Sequence, residues 1–65
     1  MEIELDREID GQWIAELPAL PGVVVYGDSR EDAIAKVEAL AFRVAADRIE
    51  HGEPVPKEVD AIFAL

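Results

Sequence analysis

Two prolines and a glycine within five residues restrict this chain more than any other feature. They lie inside the stretch 11–27, G-Q-W-I-A-E-L-P-A-L-P-G-V-V-V-Y-G, where Pro18, Pro21 and Gly22 separate an apolar run at 12–17 from another at 23–26. A strand does not continue through such an insert, because proline lacks a backbone N–H and glycine relaxes φ. The insert reads as a rigid corner that ends one strand and aims the next. The N-terminal segment must pair back onto it, and the C-terminal segment must lie on the resulting sheet.

Residues 1–9 alternate, with Ile3, Leu5 and Ile9 at odd positions and Glu2, Glu4, Asp6 and Glu8 at even ones. A period of two marks a strand with one buried and one acidic face. Arg7 falls on the apolar side near the end, where its stem can lie on the core while its head reaches water. Asp10-Gly11 predicts a two-residue type I′ hairpin turn. The second strand is then 12–17, with Trp13, Ala15 and Leu17 facing one way. The β-branched run 23–26 predicts a third strand buried on both faces or close to it.

Ser29 followed by Asp32 resembles a capping box, with Asp in place of the usual Glu or Gln. It opens a helix expected over 30–51, with Gly52 as its stop and Pro54 and Pro56 preventing a restart. Residues 58–65 predict a short fourth strand. The expected fold is a single α+β domain over 1–65, β-β-β-α-β, with an antiparallel sheet and one long helix packed on it.

On a helical wheel, Ala33, Ile34, Val37, Leu40, Ala41 and Val44 form the stripe expected to face the sheet. A second apolar arc holds Ala35, Ala39, Phe42, Ala45, Ala46 and Ile49, while Lys36, Arg43, Asp47 and Glu50 crowd into a strip of ~60°. Glu38 and Arg48 are the charged exceptions. Alanine alone would mean little, since it is the best helix former. Phe42 and Ile49 are not chosen for propensity, so Ala35, Ala39, Phe42, Ala46 and Ile49 are expected to form a homo-oligomer interface, in a dimer or tetramer.

Size points the same way. A chain of 65 residues hides only about 60% of its unfolded surface, and so small a core supplies only ~3–5 kcal/mol. There is no cysteine to staple it, although hydrophobic residues make up 51%. Net charge is −9, which opposes direct binding to nucleic acid or to anionic lipid. A basic protein partner is the natural counterpart of such an acidic chain; solubility alone is the simpler account. No run approaches the ~20 apolar residues of a membrane span, and the acidic N-terminus does not read as a secretory signal. A cytoplasmic protein is expected.

Candidate catalytic groups are few. His51, at the helix C-terminus, is accounted for by the helix dipole, and Ser29, the one serine, by capping. No phosphate-binding glycine motif is present. Glu2, Glu4, Asp6, Glu8 and Asp10 could contribute to a metal site only with help from other elements, because same-face neighbours on a strand stand ~7 Å apart. No catalytic residue, cofactor or metal is assigned.

The pattern of Gly11, Trp13, Pro18, Leu20-Pro21-Gly22, Gly27-Asp28-Ser29, Glu31, Ala33 and Gly52-Glu53-Pro54-Val55-Pro56 resembles the N-terminal domain of HicB antitoxins, from about Ile3 to Pro56. The resemblance implies a partial RNase H-like fold, oligomerisation, and neutralisation of HicA, a small basic RNA-cleaving toxin, by covering its active surface. Full-length HicB proteins also carry a C-terminal DNA-binding module, which is not expected here. The leading expectation is a non-enzymatic binding module, with Glu4, Asp6, Glu8, Trp13 and Tyr26 as partner-binding residues. The alternatives are an orphan structural homo-oligomer and, last, a metal-dependent RNase H-like nuclease using Asp6 and Asp10.

Overall fold

A computed structural model describes residues 2–57. Strands β1 (Glu4–Arg7), β2 (Trp13–Glu16) and β3 (Val24–Gly27) form one antiparallel sheet in the order β1-β2-β3, followed by helix α1 (Arg30–Glu50). The small α+β domain, β-β-β-α, is as expected. The fourth strand expected at 58–65 lies outside the described residues.

The β1–β2 turn differs from the predicted type I′. Glu8 N–H donates to Gln12 O at 2.7 Å and Gly11 N–H donates to Glu8 O at 3.0 Å. The loop is therefore three residues, Ile9-Asp10-Gly11, and only Gly11 takes positive φ, at 90°. A turn closed by one left-handed glycine is the usual three-residue hairpin solution. Asp10 serves differently, its Oδ1 accepting from Gln12 N–H at 3.0 Å. Ile9 is carried to the apex and is fully exposed, so the apolar alternation of β1 ends at Leu5.

The proline corner is two consecutive turns. Leu20 N–H donates to Leu17 O at 3.0 Å, Val23 N–H donates to Leu20 O at 3.0 Å, and Leu17 N–H donates to Val23 O at 3.1 Å. Pro18 and Pro21 each occupy the second position of a turn, where a fixed φ near −65° fits. Gly22 follows Pro21 at φ 91°, the type II pattern. Between the prolines, Leu20 turns inward and is completely buried. The corner thus supplies a core side chain as well as a change of direction.

Cross-strand partners share a face, and the register places Leu5, Ala15 and Val25 together beneath the helix. The core comprises Ala15, Leu17, Leu20, Val23, Ala33, Val37, Ala41 and Ala45, with Ile3, Leu5, Trp13, Val25, Leu40, Val44 and Val55 packed around it. α1 contacts β2 and β3 most closely. Val24 and Tyr26 lie on the other face and are 42% and 54% exposed, so the expectation that β3 is buried on both sides is corrected. Only one helix is available to cover the sheet among the described residues, and it covers one face.

The helix ends are closed by hydrogen bonds. Ser29 Oγ accepts from Asp32 N–H at 3.0 Å, and Asp32 Oδ2 accepts from Asp28 N–H at 3.0 Å. In a standard capping box the reciprocal acceptor serves the N-cap N–H; here the shorter Asp serves the residue before it. At the other end, Gly52 N–H donates to Ile49 O at 3.1 Å and Glu53 N–H to Arg48 O at 2.8 Å, a Schellman closure. Ala45, placed on the second apolar arc by the wheel, is only 2% exposed. It sits at the boundary of the two arcs, and the core claims it.

The Asp28 N–H and then the Lys36 ammonium, 3.1 Å away, hold the Asp32 carboxyl below its ordinary pKa. A carboxylate with a lowered folded-state pKa adds stability above its unfolded pKa, about 3.9, and loses that contribution as pH falls through the lower folded value. The stability gap between wild type and Asp32→Asn is therefore expected to narrow on acidification through that window. Urea midpoints measured across the acid range check this; a gap independent of pH contradicts it.

Candidate functional site

The sheet face turned away from α1 has two cross-strand rows. One is Glu4–Glu16–Val24 and the other is Asp6–Ile14–Tyr26. Carboxylates thus stand over β1 and the end of β2, while Ile14, Val24 and Tyr26 form an apolar patch over β2 and β3. Glu4, Leu5, Asp6, Ile14 and Glu16 line a shallow hollow of about 490 Å³. A second, of about 420 Å³, is lined by Glu8, Ile9, Asp10 and Tyr26.

The acidic row carries an electrostatic conflict. Glu4 and Glu16 are direct cross-strand partners, with Asp6 diagonal to Glu16. Like charges opposite one another destabilise a sheet, and neither glutamate forms an ion pair among the described residues. A cation brought to this corner would relieve the repulsion. Among the described residues, no three His, Asp or Glu side chains gather as a group able to hold a metal ion.

Of the residues expected to bind a partner, Glu4, Asp6 and Tyr26 share this face. Glu8 lies beyond the end of β1, beside the second hollow. Trp13 is not brought together with them: it pairs with Arg7 and Gly27 on the helix side and packs, half-buried, against the core. Ile14, Glu16 and Val24 join the face without having been singled out in the sequence. Their signal was parity, since each is offset by one from the inward set Trp13, Ala15, Leu17 and Val23, Val25.

No family model matches the chain, and neither does any solved structure. A curated relative, UPF0150 protein ssr1765 from Synechocystis sp., is 40% identical over 55 residues, spanning 83% of this chain and 68% of the relative. The chain belongs to the UPF0150 family.

The UPF0150 chain has a second apolar surface, on α1. Phe42 and Ile49 are 50% and 56% exposed, and Ala35, Ala39 and Ala46 are exposed beside them. All five residues expected at an oligomer interface are therefore accessible and on one side of the helix, ~140° around from the buried stripe. No helix among the described residues is long and apolar enough to cross a membrane.

Proposed function

We propose that this UPF0150 chain is a non-enzymatic, HicB-like antitoxin module that masks a small basic RNA-cleaving protein with its open sheet face. The observation that carries this reading is the pairing of an apolar patch, Ile14, Val24 and Tyr26, with unneutralised carboxylates at Glu4, Asp6 and Glu16. Apolar contact supplies binding energy, and the carboxylates steer and select a cationic partner. The residue pattern shared with HicB proteins and membership of UPF0150 support the same reading. The partner's RNA-binding surface must itself be basic to hold phosphate, so an acidic cover placed on it blocks substrate directly.

The test is a titration against the product of any neighbouring small gene that encodes a basic protein, with RNA cleavage as a second readout. Wild type is expected to bind and to inhibit, less tightly as salt rises. Tyr26→Ala is expected to weaken binding by ~30-fold, as loss of a buried aromatic anchor does. Glu4→Lys with Glu16→Lys is expected to weaken it further and to flatten the salt dependence. Unchanged affinity in both variants would sink the proposal.

The exposed helix strip favours a second, compatible reading, in which the module self-associates through α1. Phe42 and Ile49 are large, apolar and half-exposed, in a chain whose own core is small. Charge placed at the strip, Phe42→Glu, is expected to leave a monomer in light scattering.

A further inference from the structure

We infer that the α1 strips of two copies pack antiparallel about a two-fold axis at Phe42, leaving both open sheet faces on the outside of the dimer. The inference rests on the self-association reading above and goes beyond it in fixing direction, register and consequence.

Size complementarity sets the direction. The strip runs Ala35, Ala39, Phe42, Ala46, Ile49, and its midpoint in sequence is Phe42. With the axis there, the antiparallel arrangement sets Ala35 opposite Ile49 of the second copy and Ala39 opposite Ala46. Ile49 then meets Ala35 at each end, and the small Ala39 and Ala46 flank a central Phe42 pair. A parallel arrangement shares the Phe42 pair but would stack Ile49 on Ile49 and leave Ala35 facing Ala35 across a gap. Close packing disfavours such alternation of bulges and voids.

The dipole and the charges toward the strip's ends agree, while Arg43, on the same flank, comes beside Arg43 of the second copy near the axis. Rotation about an axis perpendicular to the helices keeps each flank on its own side. The flank that carries Lys36 in the N-terminal half then meets Glu50 in the C-terminal half of the second copy. At ~1.5 Å rise per residue these two are offset by only ~3 Å along the axis. Antiparallel helices also place opposite ends of their macrodipoles together. Lys36 is bonded to Asp32 at 3.1 Å within its own helix, so Glu50 of the second copy adds to an ammonium already oriented toward the flank.

The layer order decides where the sheet faces lie. α1 sits between its own sheet and the strip, so the dimer is sheet–helix–helix–sheet. Each copy's row of Glu4, Glu16 and Val24 and row of Asp6, Ile14 and Tyr26 faces outward. Two basic partners can then dock without competing, one on each side.

Disulfide trapping tests the direction, because the chain has no cysteine of its own. Ala39→Cys and Ala46→Cys are made separately, mixed and oxidised. Antiparallel packing brings residue 39 to within ~2 Å in height of residue 46 of the second copy, while like positions are ~9 and ~12 Å apart. A disulfide does not span Cα separations beyond about 7 Å. The mixed 39–46 product is therefore expected in ~tenfold excess over either self-linked product. Efficient self-linking of each variant alone, with wild type dimeric, overturns the antiparallel arrangement and leaves self-association standing. A monomeric wild type in light scattering overturns self-association itself, and this inference with it.

Discussion

Leu20→Ala is expected to unfold most of the protein at room temperature. Leu20 lies between the two prolines of the corner, yet its side chain has no exposure to solvent. Truncating a buried leucine costs about 2–5 kcal/mol, through lost transfer energy and the cavity left behind. A single core this small supplies only ~3–5 kcal/mol, so the loss is comparable to the whole stability. The tight pair of turns that holds Leu20, with bonds of 3.0, 3.0 and 3.1 Å, leaves little freedom for the backbone to collapse into the void. Urea denaturation monitored by circular dichroism measures it. Leu20→Met, which preserves volume, is expected to cost less than about 1.5 kcal/mol. If Leu20→Ala shifted stability by less than about 0.5 kcal/mol, the range of a surface change, the corner would have no part in the core.

Gly27→Ala is the second large effect, and its cause is steric. Gly27 is not among the glycines at positive φ, so its conformation suits any residue. A Cβ there would meet the backbone nitrogen of Ala33, and come within 2.7 Å of Ala33 Cα and 2.9 Å of Ala33 Cβ. Most of that obstacle is backbone at the start of α1, which cannot rotate aside. Overpacking of this kind costs typically ~1–3 kcal/mol and sometimes more. Gly22→Ala provides the contrast: nothing lies within 4 Å, and φ is +91°, so its cost of about 1–2 kcal/mol is conformational. Adding Ala33→Gly to Gly27→Ala removes the Cβ contact and leaves the nitrogen and Cα, so the expected rescue is partial. Full rescue would show that the helix backbone yields, and that the close approach is not fixed by the fold.

How much of this was legible beforehand depends on the range of the cause. Caps and turns are local. Ser29, Asp32 and Gly52 announced the helix ends because their bonds span only a few residues. The hairpin was announced by Asp10-Gly11, but its loop length was not, since one or two positive-φ residues satisfy the same dipeptide. The wheel separated the buried and exposed arcs of α1 except at Ala45, a boundary residue that the core claims, and at Ile34, which is half-buried and does not join the core. The exposure of Val24 and Tyr26 was hidden, because a run of β-branched residues looks the same whether one face or both are covered.

The candidate site shows the same division. Alternation in β1 marked Glu4 and Asp6 as one acidic face, and the wheel marked Ala35, Ala39, Phe42, Ala46 and Ile49. What alternation could not supply was the register across strands. That register sets Glu16 opposite Glu4 and Ile14 between Asp6 and Tyr26.

The sequence by itself determined the order of elements, the position of the corner and the helix with its two apolar arcs. Each arises from contacts between residues near one another in the chain. Only the tertiary structure decided that Leu20 points into the core, that Gly27 must admit the start of α1, and that an acidic row adjoins an uncovered apolar patch. Those outcomes depend on pairing and packing between segments distant in sequence. Alternation fixes which face each side chain takes, because a one-residue change in register would turn every side chain over, but it does not say which residues of neighbouring strands stand opposite one another.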